Sequence, residues 1–335
     1  MAKAVILAGG QGERFWPLTH KEFPKYRIRW DGKQSLLQST FERLAKIYGK
    51  NNVYVVTTQP HVSMIKEELP QLPAKRVFVE PFRNNTCAAI YLSCARIEKE
   101  AGRKESVSFF PADHLIQNTQ EFKKTLRNAM RLAGSKEVLV TIGVRPAFPA
   151  TGYGYIKKGA SIGGSAFRVE RFVEKPDRAK ARRYLKAGGF LWNAGIFTWR
   201  IGVFMDTMKR HCPDFHKNFD VRRLEASYKK LPNISIDLAL MEKAGNIAVC
   251  STGMDWCDMG HWDMLHDRSE RDEAGNHAHG RCLHKESKDS LIVNHTDKPV
   301  VMLGISGVLV VQTARGTLVC RKGRAEEAAL LSKKL

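Results

Sequence analysis

The feature that most constrains this chain lies within its first fourteen residues. Ala4-Val5-Ile6-Leu7 is an unbroken apolar run, and it stops at Ala8-Gly9-Gly10-Gln11-Gly12-Glu13-Arg14. An apolar run without polar alternation suits a strand covered on both faces, as in a parallel sheet. Glycines directly after it let the backbone turn sharply and present N–H groups to phosphate oxygens. Pro17-Leu18-Thr19 and Pro24-Lys25 follow. Arg14 would add a planar fork of donors there, and Lys25 a point charge. The spacing is not the GxGxxG of dinucleotide-binding sheets, and no GxxxxGK[ST] loop is present. Gly9-Gly10-x-Gly12 taken alone says only that phosphate can bind.

A parallel sheet needs crossovers, and the following pattern supplies them. Leu36, Leu37, Phe41, Leu44 and Ile47-Tyr48 recur at helical spacing. Val53-Tyr54-Val55-Val56 and Val77-Phe78-Val79 read as strands, then Thr86 to Lys99 as a helix and Val107 to Phe110 as a strand. A helix over about Gln120 to Ala133 leads to the strand Val138-Leu139-Val140. This alternation predicts a Rossmann-like α/β fold, a mixed and mainly parallel sheet flanked by helices. Beyond Arg145, Tyr155-Ile156, Phe167 to Val173 and Phe190 to Trp199 read as further strands, the first two around Gly163-Gly164. From Asp267 to Lys288 the chain is rich in His and charge; short β runs then follow at Leu291, Val300, Val308 and Leu318. The expected organisation is one large domain over 1–266, then a linker and small β domain over 267–335.

Composition narrows the partners. The net charge is +21, from 55 Lys and Arg against 34 Asp and Glu. Such an excess suits either nucleic acid or substrates that all carry phosphate. The charge is dispersed, and the densest run, Arg178 to Lys186, reads as the wet face of a helix. With no zinc-finger or RNP signature, a nucleic-acid partner is not expected. Seven cysteines without CxxC spacing fit neither a disulfide framework nor structural zinc, and point to a reducing cytoplasm. No apolar stretch is long enough for a membrane span, and Met1-Ala2-Lys3 precedes a run too short for a signal peptide.

Several other residues can carry chemistry. Asp113, in Pro111-Ala112-Asp113-His114, sits just past a strand, at the edge where open α/β sheets bind ligands. Asp258 lies between Trp256 and Trp262. Glu174-Lys175 ends a strand before Pro176, and reads either as a surface ion pair or as a ligand contact. Asn193 is a donor and acceptor inside an apolar strand; Gly152 and Gly154 would let backbone close on a ligand. Asn84, Asn85 and Thr86 can all cap the helix they precede, and Ser235-Ile236-Asp237 also opens a helix, where capping accounts for it. Cys87 reads as a small buried residue.

The string Leu7-Ala8-Gly9-Gly10-x-Gly12-x-Arg14-x-x-Pro17-Leu18-Thr19 with Pro24-Lys25 resembles the signature of the sugar-nucleotide pyrophosphorylases. Later blocks resemble their mannose branch, the mannose-1-phosphate guanylyltransferases. These are Glu80 to Thr86, Pro111 to His114, Gly152 to Ile156, Phe172 to Pro176, Trp192 to Phe197, Ser235-Ile236-Asp237 with Met241-Glu242-Lys243, and Trp256-x-Asp258-x-Gly260-x-Trp262.

The resemblance implies that GTP and mannose 1-phosphate give GDP-mannose and diphosphate. It implies Mg²⁺ on Asp113 and Asp258, and catalysis by these two with Arg14, Lys25 and Lys175. Nucleotide contacts would come from Leu7, Ala8, Gly9, Gly10, Gly12, Arg14, Lys25, Asn85, Thr86, Ala112 and Asp113, with Asn85 near guanine. Sugar-phosphate contacts would come from Gly154, Glu174, Lys175 and Asn193. The terminal β piece resembles the short β-helical domain that packs such enzymes together, which implies a homodimer. The segment Lys25-Tyr26-Arg27-Ile28-Arg29-Trp30 is more basic than the pattern and lacks its later proline. Two alternatives stay open: another nucleotide or hexose, and a non-catalytic subunit that binds GDP-mannose.

Overall fold

The computed structural model describes residues 2–10, 12–30, 32–331 and 334. Met1, and Gln11 of the glycine string, lie outside the described residues. The chain divides into two compact units, each assembled from separate stretches of sequence. The first takes residues 1–9, 40–112 and 116–256; the second takes 10–39, 113–115 and 257–335.

The first unit is built on a nine-stranded sheet. Its strands are β1 (Lys3–Leu7), β2 (Val53–Thr58), β3 (Val77–Glu80), β4 (Ser106–Pro111), β5 (Leu139–Val144), β6 (Tyr155–Gly163), β7 (Ala166–Val173), β8 (Phe190–Arg200) and β9 (Ile247–Thr252). In space they run β3-β2-β1-β4-β8-β5-β9-β7-β6. The first four pair in parallel, with Leu7 opposite both Val56 and Pro111. Every residue of β2 is buried, as an apolar strand covered on both faces requires. Their shared direction brings the carboxyl ends, Leu7, Thr58, Glu80 and Pro111, to one edge of the sheet.

β5 joins this series only through β8, which runs antiparallel to both β4 and β5. β9 then pairs in parallel with β5, and β6 and β7 add antiparallel strands at the margin. The sheet is therefore mixed. The β6–β7 turn uses Gly163 and Gly164 at φ +114° and +58°, left-handed angles that glycine adopts freely. Asn85–Ala101 and Thr119–Ser135 are the predicted helices; the first is buried on all sides from Cys87 to Cys94, the second along one apolar face. Arg178–Ala187 is a helix whose basic side chains are exposed, while Cys87 is fully buried.

In the second unit, His277–His279, Leu291–Asn294 and Val308–Thr313 form one parallel ladder, and Cys282–Lys285 with Val300–Leu303 another. Parallel pairing of successive short strands is the arrangement of a β-helical coil. The stretch expected to be a linker up to Lys288 thus contributes two strands. They escaped the sequence reading because His-Ala-His and Cys-Leu-His-Lys present mostly exposed side chains, with no apolar alternation to mark them. Leu291, Val293, Leu309, Val311 and Leu318 pack with Phe15, Met259 and Trp262 in this unit's core.

Candidate active site

The second unit gathers the phosphate-side candidates. Gly12 adopts φ +69°, and a Cβ there would collide with the Cβ of Lys25. The glycine is therefore required twice, by its backbone angle and by the close approach of the lysine. Its carbonyl accepts hydrogen bonds from the Thr19 hydroxyl at 2.6 Å and the Phe15 amide at 3.0 Å. These bonds fix the turn that precedes Pro24-Lys25. Lys25 is 7% exposed. Its Nζ lies 2.7 Å from Asp113 Oδ2 and donates to the Asp258 carbonyl oxygen at 2.5 Å.

Burial pushes the Asp113 carboxyl upward, but the Lys25 ammonium and His114 more than offset this and hold it below the usual aspartate range. Met259 follows Asp258 at φ +47°, and Gly260 leaves room for the Asp258 carboxylate, whose oxygens lie 3.0 and 3.1 Å from where a Cβ would be. Trp262 closes the segment by donating its ring N–H to Trp16 O at 3.0 Å and packing edge-on against Phe15. Arg14 stands apart from this cluster: its guanidinium pairs with Glu326 at 3.4 Å on the surface.

The first unit gathers the nucleotide-edge and sugar-side candidates. The Ala8 amide donates to Val56 O and the Ala8 carbonyl accepts from Thr57, so the chain stays pinned to the sheet up to the glycines. Ala112 is held similarly, donating to Leu7 O at 3.1 Å. Among the described residues the Gly9 amide finds no acceptor, which leaves it free to donate. Asn85 is exposed at φ +60°, its Oδ1 accepting from the Thr86 amide. The Thr86 hydroxyl in turn accepts from the Ile236 amide at 3.0 Å.

On the sugar side, Glu174 and Lys175 lie just beyond the end of β7, with Lys175 at φ +44°. Their side chains meet at 2.8 Å because the strand has ended and the usual alternation no longer separates them. Gly154 is buried beside them, where a Cβ would come within 2.7 Å of Glu174 Oε2. Asn193 donates its backbone N–H to Gly154 O at 2.8 Å. Its Oδ1 accepts from Thr141, and its Nδ2 donates to Asp237 Oδ1 at 2.9 Å. Gly154, Glu174, Lys175 and Asn193 thus form one cluster.

Two members of that cluster were not expected from sequence. Asp237 opens a π-helical turn, Asp237–Met241, rather than an α-helix. Ser235 does cap it, accepting from the Leu238 amide, while the Asp237 side chain turns to Asn193. Burial raises the Asp237 carboxyl, and the Glu174 charge raises it further against the pull of Lys175. Glu242 accepts the Glu174 amide at 2.8 Å. The only sequence signal for either was membership of the Ser235 to Lys243 block, since neither lies on a strand end.

Comparison with known proteins finds two family models along the chain. A family model described as nucleotidyl transferase matches residues 3–275, and one described as a MannoseP isomerase/GMP-like beta-helix domain matches residues 280–335. Alginate biosynthesis protein AlgA of Pseudomonas putida is 32% identical over 99% of this chain and 71% of its own length. Mannose-1-phosphate guanylyltransferase RfbM of Salmonella typhimurium is 32% identical, covering 96% and 70% respectively. A crystal structure described as mannose-1-phosphate geranyltransferase, from Thermus thermophilus, superposes with a TM-score of 0.89 at 30% identity, over 99% of this chain and 98% of that one. With residues 3–275 matched by that family model and relatives 32% identical along nearly its whole length, the chain belongs to the nucleotidyl transferases.

Proposed function

We propose that this chain is a mannose-1-phosphate guanylyltransferase, converting GTP and mannose 1-phosphate into GDP-mannose and diphosphate. The observation that carries the reading is the Lys25 ammonium, ion-paired with the Asp113 carboxylate and bonded to the backbone carbonyl of Asp258. It presents cationic and anionic groups side by side, as a polyphosphate and its counter-cation need.

The nucleophile is an oxygen of the sugar phosphate, already anionic, so no side chain has to form a covalent intermediate. That oxygen attacks the α-phosphorus of GTP; the bond to the β-phosphate oxygen breaks and diphosphate leaves with the electron pair. The chain positions the reactants and offsets their charge. The Gly9 and Gly10 amides, Arg14 and Lys25 hold the departing diphosphate. Lys175 offsets repulsion on the sugar phosphate, and Glu174 and Asn193 take sugar hydroxyls.

Asp113 and Asp258 are hard oxygen donors, and few protein ligands is the usual provision for Mg²⁺. The depressed Asp113 carboxyl stays ionised and able to bind it. When bound, Mg²⁺ would neutralise phosphate charge beside these two carboxylates.

No described helix is long and apolar enough to cross a membrane. We place the work in the cytoplasm, with the catalytic residues in 1–266 and the terminal β piece in 267–335. Leu283, Val301 and Val319 are each about two-thirds or more exposed on that piece, an apolar surface that suits a homodimer contact. Sedimentation of Leu283→Glu with Val319→Glu, expected as a monomer, checks the dimer.

Diphosphate release measured for each pairing of GTP, ATP, UTP and dTTP with mannose or glucose 1-phosphate tests the reaction. GTP with mannose 1-phosphate is expected to lead by at least tenfold, and a preference for UTP with glucose 1-phosphate would sink the proposal.

A further inference from the structure

The amino edge of the nine-stranded sheet, the end opposite Leu7 and Pro111, has a cavity of its own. β4 begins just after Arg103 and Lys104, and β5 just after Glu137, while the antiparallel β8 ends there at Arg200. With Asp206 and Arg210 of the helix Ile201–His211, these residues line a space of about 340 Å³. All of them lie in the first unit. The six residues of β4 span roughly 20 Å, so the cavity is remote from the ligand edge. Its charges are unevenly matched. Arg103 is committed to Glu98 at 3.1 Å and to Asp206 at 2.7 Å. Arg200 has only Glu137, 3.9 Å away and 87% exposed, a pairing of little worth in water. The Arg200 Nε is buried and finds no hydrogen-bond partner among the described residues, a state that buried polar groups ordinarily avoid. Arg210 donates from Nε to the Asp206 carbonyl oxygen at 3.4 Å, and Lys104 makes no ion pair among the described residues. Three cations therefore share one cavity with no carboxylate at hydrogen-bonding distance.

We propose that this cavity binds a phosphate monoester of a small hydroxylated molecule, at a site separate from the catalytic one. A cleft lined mainly by one sign of charge gathers ions of the other. Phosphate offers enough oxygens for Lys104, Arg200 and Arg210 together, and a guanidinium fork can hold two of them at once. The first turn of Ile201–His211 forms part of the same wall, and the positive end of that helix adds to the attraction. Glu137 and Asp206 argue against a bare anion, since carboxylates accept hydrogen bonds and repel a second negative charge. Hydroxyls on an ester would meet both of them while its phosphate lies toward the cations. No aromatic ring lines the cavity, so a nucleobase finds no face on which to stack. The volume lies near the lower end of the roughly 300–1,000 Å³ of small-molecule sites, the size of a single sugar ring with its phosphate. The inference stands whichever nucleotide and sugar the catalytic site takes.

Glucose 6-phosphate and inorganic phosphate serve as probes, each titrated calorimetrically into the full chain. The ester is expected to bind several times more tightly than phosphate alone. Lys104→Gln combined with Arg210→Gln should weaken it roughly tenfold or more, the weight of one hydrogen bond to a charged group. Both side chains are exposed, so the double variant should melt like wild type and keep its turnover. Arg182→Gln combined with Lys186→Gln removes the same charge from the exposed face of another helix in this unit, and should leave binding unchanged. Equal losses in the two double variants would trace binding to net charge and overturn the site. A Lys104→Gln, Arg210→Gln protein that binds the ester as wild type does also overturns it, as does a wild type that binds neither probe at millimolar concentration. Phosphate binding as tightly as its ester would overturn the ester class, because Glu137 and Asp206 would then be meeting no hydroxyl. A fall in turnover that tracks the fall in binding would overturn the separation of the two sites.

Discussion

The Lys25 ammonium stands 2.7 Å from Asp113 Oδ2, while the same nitrogen donates to the Asp258 carbonyl. Two acidic residues more than a hundred positions apart are thus tied to one side chain, itself reached across the Gly12 turn. Lys25 is nearly buried, and burying a charge is tolerable only when it is paired. The pairing also sets the state of its partner, since the Asp113 carboxyl is held down against the upward push of burial.

Lys25→Met should therefore be destabilised at neutral pH and nearly inactive. A carboxyl whose folded pKa is depressed contributes stability above its ordinary value of about 3.9, and that contribution is lost as pH falls through the folded value. The gap in melting temperature between wild type and Lys25→Met is expected to be full at pH 7 and to narrow in acid, below about pH 4. The matching loss of stability at pH 7 should be on the order of 1–3 kcal/mol, the cost of leaving a partly buried partner unpaired. Thermal melts across pH give the answer; a gap that is constant into acid would separate Asp113 from Lys25.

The metal assignment has a sharper test in the carboxylates. Asp113→Asn and Asp258→Asn keep size and shape but give up charge, so each should lose most turnover, roughly a hundred-fold or more, as for removal of one charge-stabilising group. Titrating Mg²⁺ at fixed GTP should also show a weaker dependence on the ion. Near-normal activity and normal Mg²⁺ dependence in Asp258→Asn would remove that residue from the metal site.

Two glycines of one string should respond oppositely to the same change. Gly12→Ala forces a methyl against the Lys25 Cβ at a left-handed φ, whereas nothing lies within 4 Å of a Cβ on Gly10, whose φ is ordinary. The left-handed backbone alone costs an alanine about 1–2 kcal/mol. Gly12→Ala is expected to melt several degrees lower and lose turnover by displacing Lys25. Gly10→Ala should melt like wild type, and any loss it shows should lie in the KM for GTP. Equal melting temperatures for the two variants would mean the turn relaxes freely.

Much of this was legible from sequence because local chemistry and global position agreed. An apolar run stopped by glycines can hardly be anything but a buried strand and a turn, so β1, Gly9 and Gly12 fell where expected. Glu174 and Lys175 could be placed side by side because Pro176 ends the strand for both. What escaped depends on packing between distant segments. Nothing near Phe190 announces that its strand runs antiparallel between β4 and β5, since both neighbours are apolar either way. The coil strands at His277 and Cys282 are hidden because their partners, at Leu291 and Val300, carry the apolar pattern. Asp237 reads as a cap beside Ser235, and only the approach of Asn193 from β8 shows where its carboxylate turns.

The sugar side can be probed through space rather than charge. Gly154→Ala would bring a methyl to 2.7 Å from Glu174 Oε2 and 3.3 Å from the Asn193 Cβ. Glu174 must move, and its pairing with Lys175 moves with it. The expected result is a KM for mannose 1-phosphate raised roughly tenfold, about the effect of losing one well-placed hydrogen bond to a charged group, with the KM for GTP little changed. Lys175→Ala should differ by depressing kcat as well, because the charge it removes matters most as the two anions meet. A shared rise in both KM values for Gly154→Ala would show a general loosening instead.

Asp237 offers the last test, and its sign is opposite to that of Asp113. Burial and then the Glu174 charge raise its folded pKa, with Lys175 pulling the other way. A carboxyl raised in the folded state contributes stability below its unfolded value that is lost as pH climbs through the folded one. Asp237→Asn fixes the neutral form and keeps an oxygen to accept from Asn193 Nδ2. The variant should therefore match wild type in acid and become the more stable of the two as pH rises above the ordinary aspartate range toward neutrality. Turnover should fall less than about tenfold, since the acceptor survives and the side chain transfers no proton in an attack by an oxygen already ionised. Melting curves from pH 4 to 8 would read the crossover. If Asp237→Asn were instead the less stable protein at neutral pH, the ionised carboxylate would be making contacts that outweigh its repulsion from Glu174.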